Sequence, residues 1–122
     1  MKRVAFVALF FLLMAIANTA LRPDPKSGDA GEWVPMSGAE IAEALTGRTL
    51  QYARAWQDFR ASGRTLYNAG EDSWGYWQVR DDQYCSMWPP SDLWACYDMA
   101  HRGDEIRFIG TGNDITDAVY AN

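Results

Sequence analysis

From Arg48 to the C-terminus, apolar and polar residues alternate with period two, interrupted by short clusters of Gly, Asp, Ser and Pro. This is the signature of half-buried strands joined by turns. It predicts strands over Thr49–Tyr52, Trp56–Arg60, Arg64–Asn68, Tyr76–Arg80, Gln83–Trp88, Leu93–Met99 and Glu105–Ile109, with Ile115–Tyr120 closing the sheet. Ahead of them the period is helical. Ser37-Gly38-Ala39-Glu40 forms a capping box, Ile41, Ala44 and Leu45 make one apolar stripe, and Gly47 is suited to the C′ position. A helix over Ser37–Thr46 is too short to stand without tertiary packing. Short connections imply antiparallel neighbours, and sheet edges must be closed or covered. The expected fold class is therefore α+β, mostly β: one short N-terminal helix, then a curled antiparallel sheet, a small barrel or a sandwich, of about seven strands. The helix is expected to plug one end.

The two cysteines set a register. With Cys85 facing Cys96, Trp88 faces Leu93 across a Pro89–Asp92 loop, Val79 faces Tyr84 and Trp77 faces Ser86. The His101–Asp104 turn then places Met99 opposite Ile106 and Asp98 opposite Arg107, with Arg80 one strand further along in a charge cluster. One face carries Trp77, Val79, Tyr84, Ser86, Trp88, Leu93, Ala95, Tyr97, Met99, Ile106 and Phe108, and is assigned to the core. The other is mixed and carries both cysteines. A facing pair on adjacent strands has the short Cα separation a disulfide needs, and its spacing is unlike that of a redox C-x-x-C pair.

The N-terminus reads differently. Met1-Lys2-Arg3, an apolar run from Val4 to Ala17, and Ala15-Ile16-Ala17 follow the order of a secretory signal peptide. The expected cut follows residue 17, with a second possible site after residue 20. The run is shorter than a membrane-spanning helix needs, so no stable span is expected after cleavage. Residues 18–32, rich in Pro, Gly and charge, read as a flexible linker, and residues 33–122 as a single small β-rich domain. Export places the protein in a periplasmic or secreted setting and favours cysteine oxidation. Losing Lys2 and Arg3 moves the net charge from −5 to about −7. Such acidity disfavours nucleic acid and anionic lipid as partners.

Little in the chain points to catalysis. His101 is the only histidine and reads as a solvated turn residue. Neither Ser86 nor Ser91 has a nucleophile-elbow context. No Cys/His cluster or phosphate loop is present, so no metal or cofactor is expected. The carboxylates Glu71, Asp72, Asp81, Asp82, Asp104, Glu105, Asp114 and Asp117 fall mostly in predicted turns. Gly112–Asp117 offers oxygen ligands but lacks the EF-hand order. The aromatics are the stronger lead: of six Trp, six Tyr and five Phe, Trp77, Trp88, Tyr97 and Phe108 read as core filling. Tyr76, Met87 and Trp94 line up across adjacent strands on the outer face, beside the disulfide. They form a candidate binding patch unless covered. The amphipathic helix needs a partner face, and the expectation is that it covers them.

Leu45-Thr46-Gly47-Arg48-Thr49, Ser62-Gly63-Arg64-Thr65, Gly75-Tyr76-Trp77-Gln78-Val79, Tyr84-Cys85 and Cys96-Tyr97 occur in an order that resembles small exported bacterial proteins of unknown function. Their pattern is L-x-G-x-T, G-x-W-x-V, Y-C and C-Y after a short helix. The likeness covers about residues 37–110 and implies an export signal, a small β-rich domain and a disulfide. It implies no activity and no catalytic residue.

Three functional readings follow. The first is an exported, non-enzymatic binding or structural module that recognises a protein or envelope component through the outer aromatic face. The second is a small apolar-ligand carrier of lipocalin-like type, although many bulky aromatics are expected to fill so small a barrel. The third is a hydrolase, which requires turn carboxylates to converge beside a cleft.

Overall fold

A computed structural model describes residues 31–121. The expected signal peptide and most of the expected linker lie outside the described residues. The elements are β1 (Val34–Pro35), α1 (Gly38–Leu45), β2 (Arg48–Gln51), β3 (Trp56–Phe59), β4 (Arg64–Asn68), β5 (Asp72–Arg80), β6 (Gln83–Met87), β7 (Ala95–Arg102), β8 (Glu105–Ile109) and β9 (Ile115–Tyr120). The strands β2 to β9 pair antiparallel, each with the next in sequence, and β9 pairs back onto β2. The result is a closed eight-stranded up-and-down barrel with β1 added beside β7. Of the two expected shapes it is the barrel, and it has more strands than the alternation indicated. Full closure removes both sheet edges.

The β5–β6–β7 register agrees with the cysteine arithmetic: Val79 faces Tyr84, Trp77 faces Ser86 and Cys85 faces Cys96. Two neighbouring expectations are corrected. The β6–β7 ladder stops at Ser86–Ala95, so Trp88 and Leu93 are not a strand pair, and Leu93 is 77 % exposed rather than core. Pro89 and Pro90 have no N–H to donate, so a ladder cannot continue through them. The β7–β8 turn is the tight Gly103-Asp104, with Gly103 at φ +61°, so Met99 pairs with Phe108 and His101 with Ile106. The slip from the expected register is two residues, and an even slip keeps every side chain on its expected face. It does dissolve the expected charge cluster. Asp98 instead accepts from Gln83 Nε2 at 3.1 Å, and Arg107 pairs with Asp117 at 2.8 and 3.0 Å. His101 lies within β7 rather than in the turn.

The helix forms as its capping box dictates. Ser37 Oγ accepts from the Glu40 N–H at 3.2 Å, and Glu40 Oε1 accepts from the Ser37 N–H at 2.8 Å. Thr46 is the C-cap, and Gly47 follows at φ +72°. The helix seals one end of the barrel. Ile41 and Leu45 are fully buried in the core with Leu50, Phe59, Trp77, Tyr84, Met99, Ile106 and Phe108. Its N-terminus docks on the β5–β6 turn, where Asp82 Oδ1 accepts from the Gly38 N–H at 2.7 Å. A Cβ at Gly38 would run into the Asp81 carbonyl, so only glycine allows this approach. At the other end of the helix, Tyr120 donates its hydroxyl to the Ala44 carbonyl at 3.0 Å.

The segment before the helix lies against the outside of β7. Val34 and Pro35 pair with His101 and Ala100, and Trp33 stacks between the guanidinium groups of Arg102 and Arg107 at 4.4 and 4.1 Å.

Candidate functional site

In an up-and-down barrel the turns fall alternately at the two ends. The β3–β4, β5–β6 and β7–β8 turns sit at the helix end. The β2–β3, β4–β5, β6–β7 and β8–β9 connections surround the opposite end. There the barrel is not filled. A cavity of about 820 Å³ opens between these connections. Its inner wall is made by Tyr52, Gln57, Tyr67, Tyr84, Ser86, Trp88, Tyr97 and Phe108, and its rim includes Arg54, Ala69, Asp114 and Ile115.

The rings hold one another apart as well as together. Tyr84 and Phe108 meet edge to face at 5.2 Å, as do Tyr67 and Trp88 at 6.1 Å, and Tyr52 lies 6.1 Å from both Tyr67 and Phe108. Such tilted contacts satisfy the ring quadrupoles but leave space that flat stacking or aliphatic packing would close. Trp88 turns inward because Gly75 makes room. A Cβ there would lie 2.5 Å from the indole Cε3 and 2.7 Å from the Met87 carbonyl. Trp88 then donates Nε1–H to Ser86 Oγ at 3.2 Å. The disulfide Cys85–Cys96 closes the base of this loop, with Cα atoms 4.0 Å apart and Cys85 fully buried.

A polar network crosses the cavity floor. Gln57, only 5 % exposed, accepts from the Tyr52 hydroxyl at 2.6 Å and donates Nε2–H to Thr65 Oγ1 at 2.9 Å and to the Tyr84 oxygen at 3.2 Å. Burial pushes the Tyr52 and Tyr84 hydroxyls well above the ordinary phenol pKa, with the neighbouring Ser86 and Gln57 opposing the shift at Tyr84. Tyr97 is raised by burial and by the Asp114 carboxylate. The phenols lining the floor therefore stay neutral at physiological pH, and among the described residues no buried side-chain polar atom lacks a partner.

Of the outer-face residues singled out from the sequence, Tyr76 and Met87 keep the expected register, whereas Trp94, expected within a Leu93–Met99 strand, lies outside the β6–β7 ladder. Tyr76 pairs with Met87 across β5 and β6, and Trp94 precedes β7 under the Arg80 guanidinium at 5.9 Å. The helix does not cover them. Its apolar stripe is spent inside the barrel, and Tyr76 is 41 % exposed. Tyr76 shares its face with Trp74, and Arg64 lies over both rings at 4.7 and 5.5 Å. The turn carboxylates divide: Asp81, Asp82, Asp104 and Glu105 lie at the helix end, and Glu71, Asp72 and Asp114 at the mouth. Among the described residues no three His, Cys, Asp or Glu side chains gather as a metal site, and no helix is long and apolar enough to cross a membrane.

Sequence reasoning missed Tyr52, Gln57 and Tyr67. Their signal was a run of polar atoms at inward positions: Gln57 shares the inner face of β3 with Phe59, and Thr65 and Tyr67 share that of β4. Polar groups repeated on a core face mark either a buried network or a lined cavity; here they are both. No protein-family model matches the chain, and no curated protein or solved structure matches it.

Proposed function

We propose that this chain is an exported carrier or sensor of a small, largely apolar ligand held in the open end of the barrel. The cup of about 820 Å³ with aromatic walls and a few convergent polar groups carries this reading. Its size falls in the usual range of small-molecule sites, and mouths of barrels are a common place for them. Walls of tilted rings do not collapse onto one another, so the cup is pre-formed and a ligand need not open it. The disulfide fits a protein working outside the reducing cytoplasm. The test is titration with the neutral dye N-phenyl-1-naphthylamine, alongside native mass spectrometry of gently purified protein. Saturable dye binding at one site, weakened roughly tenfold in Trp88→Ala, is the expected result. A bare protein mass together with no saturable dye uptake overturns the reading.

One observation favours a second reading, in which the outer face recognises an acidic segment of a partner protein. Arg64 is exposed, stacked over Trp74 and Tyr76, and among the described residues forms no ion pair, unlike Arg60, Arg102 and Arg107. A guanidinium lying over rings without a carboxylate partner keeps N–H groups available to carboxylates. Fluorescence anisotropy with labelled poly-glutamate should show salt-sensitive binding that Arg64→Ala removes. Binding that survives this substitution overturns it.

A further inference from the structure

The direction of every hydrogen bond on the cavity floor can be assigned, and it leaves unequal groups facing the ligand space. Thr65 spends its hydroxyl proton on the Asp58 carbonyl at 2.8 Å. Its oxygen can therefore only accept from Gln57, which fixes the amide with Nε2 toward Thr65 and Tyr84 and Oε1 toward Tyr52. Tyr52 must donate to that oxygen, so its lone pairs alone remain for a ligand. Tyr84 is different. Its oxygen accepts from Gln57, and the nearby Ser86 oxygen accepts from Trp88 Nε1. Among the described residues neither hydroxyl donates its own proton to a protein acceptor, so both protons are left for a ligand.

The walls supply the second constraint. The charged groups around the cavity, Arg54, Asp114 and Asp117, are all exposed. Every side chain deeper than them is uncharged. A formal charge carried to the floor would lose its hydration with nothing to replace it. Rings on several sides suit a flat ligand.

We propose that the cup selects an uncharged planar ligand bearing a hydrogen-bond acceptor such as a carbonyl at its inserted end, with the Tyr84–Ser86 pair as the donor and Tyr52 as an adjacent acceptor for any donor beside it. This rests on the cup being a ligand site. Because burial holds both phenols protonated, the donor and acceptor roles persist throughout the physiological pH range.

The test uses three probes with one ring system: 6-propionyl-2-(dimethylamino)naphthalene, a neutral ketone; 2-(dimethylamino)naphthalene, which lacks the carbonyl; and 6-(dimethylamino)-2-naphthoate, which carries a charge. The wild-type protein should bind the ketone roughly tenfold more tightly than either of the others, the ratio expected for one well-made hydrogen bond. Tyr84→Phe/Ser86→Ala should bring ketone and carbonyl-free amine within about twofold and blue-shift the bound ketone's emission, because the hydrogen bond to its carbonyl is gone. Tyr76→Phe, on the outer face, should leave the ketone preference intact. If none of the probes binds, the carrier reading itself fails. If ketone and amine bind the wild-type protein equally, or the carboxylate binds as well as the ketone, the cup binds ligands but this selectivity is wrong. The wild-type ratio decides the matter even if the double variant fails to fold.

Discussion

At one end of the barrel Ile41 and Leu45 fill the space between the strands; at the other, Tyr52, Tyr67, Trp88 and Phe108 stand around it. The helix supplies the filling at one end, whereas strand and loop side chains alone line the other. Aliphatic groups carry no polar atom and can interdigitate until no void remains. Phenols and indoles bring hydroxyl and N–H groups that need partners, and a buried network holds those atoms in place. Gln57 is the centre of that network, and it keeps Tyr52 and Tyr84 from closing onto each other. The helix end is thus closed and the mouth open. Each prediction below sets one end against the other.

The largest expected effect is Leu45→Ala, which should cost about 2–5 kcal/mol in chemical denaturation, as for a fully buried leucine in a close-packed site. Trp88→Ala at the mouth should cost less than half as much, because that ring already borders open space. Equal costs would mean that the mouth is ordinary packed core.

Removing the staple comes next. Cys85→Ala/Cys96→Ala should lower stability by roughly 3 kcal/mol or less, read as a fall in Tm. Amide exchange should accelerate chiefly in the loop over residues 88–94 and leave the helix docking unaffected. Uniform acceleration at both ends would contradict a local clamp.

Two glycines sharpen the contrast at similar energetic cost. Gly38→Ala pushes a methyl into the Asp81 carbonyl, and Gly75→Ala pushes one against Trp88 and the Met87 carbonyl. Each should cost about 1–3 kcal/mol through overpacking. Only Gly75→Ala should also shift tryptophan emission and weaken dye binding. If Gly38→Ala altered dye affinity as strongly, the two ends would not be independent.

The smallest effects are those of pH, and they separate by sign. Tyr52 and Tyr84 have raised pKa values in the folded protein, so the unfolded chain loses these protons first. The stability tied to the neutral phenols is fully present below about pH 10 and declines as pH rises above it. Tyr84→Phe should flatten this alkaline limb, measured as the urea midpoint against pH. On the acid side, Asp117 is lowered by its Arg107 hydrogen bond, and Glu40 by its capping contacts with Ser37. Their contributions are present above the ordinary carboxylate range and fade as pH falls through it. Both are exposed, so this limb should be shallow. A shallow alkaline limb beside a steep acid one would place the buried titration elsewhere.

Much of the architecture was legible because it depends on local rules. The capping box, the period-two strands and the Cys85–Cys96 pairing each follow from residues close in sequence or directly opposite one another. Face assignment survived the β7–β8 slip because alternation is insensitive to even shifts. The failures share another cause. Leu93 fits the alternation but lies in a loop whose prolines cannot pair, and the helix stripe fits the outer face and the barrel interior equally well as a pattern. Tyr76 and Met87 pair as the alternation implies, but Trp94 falls outside the β6–β7 ladder, which ends at Ser86–Ala95.

The sequence by itself determined most element types, the mixed and apolar faces and the disulfide. These are properties of neighbours along one strand or across one ladder. Closure into eight strands, the seating of the helix inside one end and the opening at the other were decided only in the tertiary structure. The space left inside a barrel depends on strand number and tilt, and on how every inward ring is turned against the others. No pairwise pattern contains that sum.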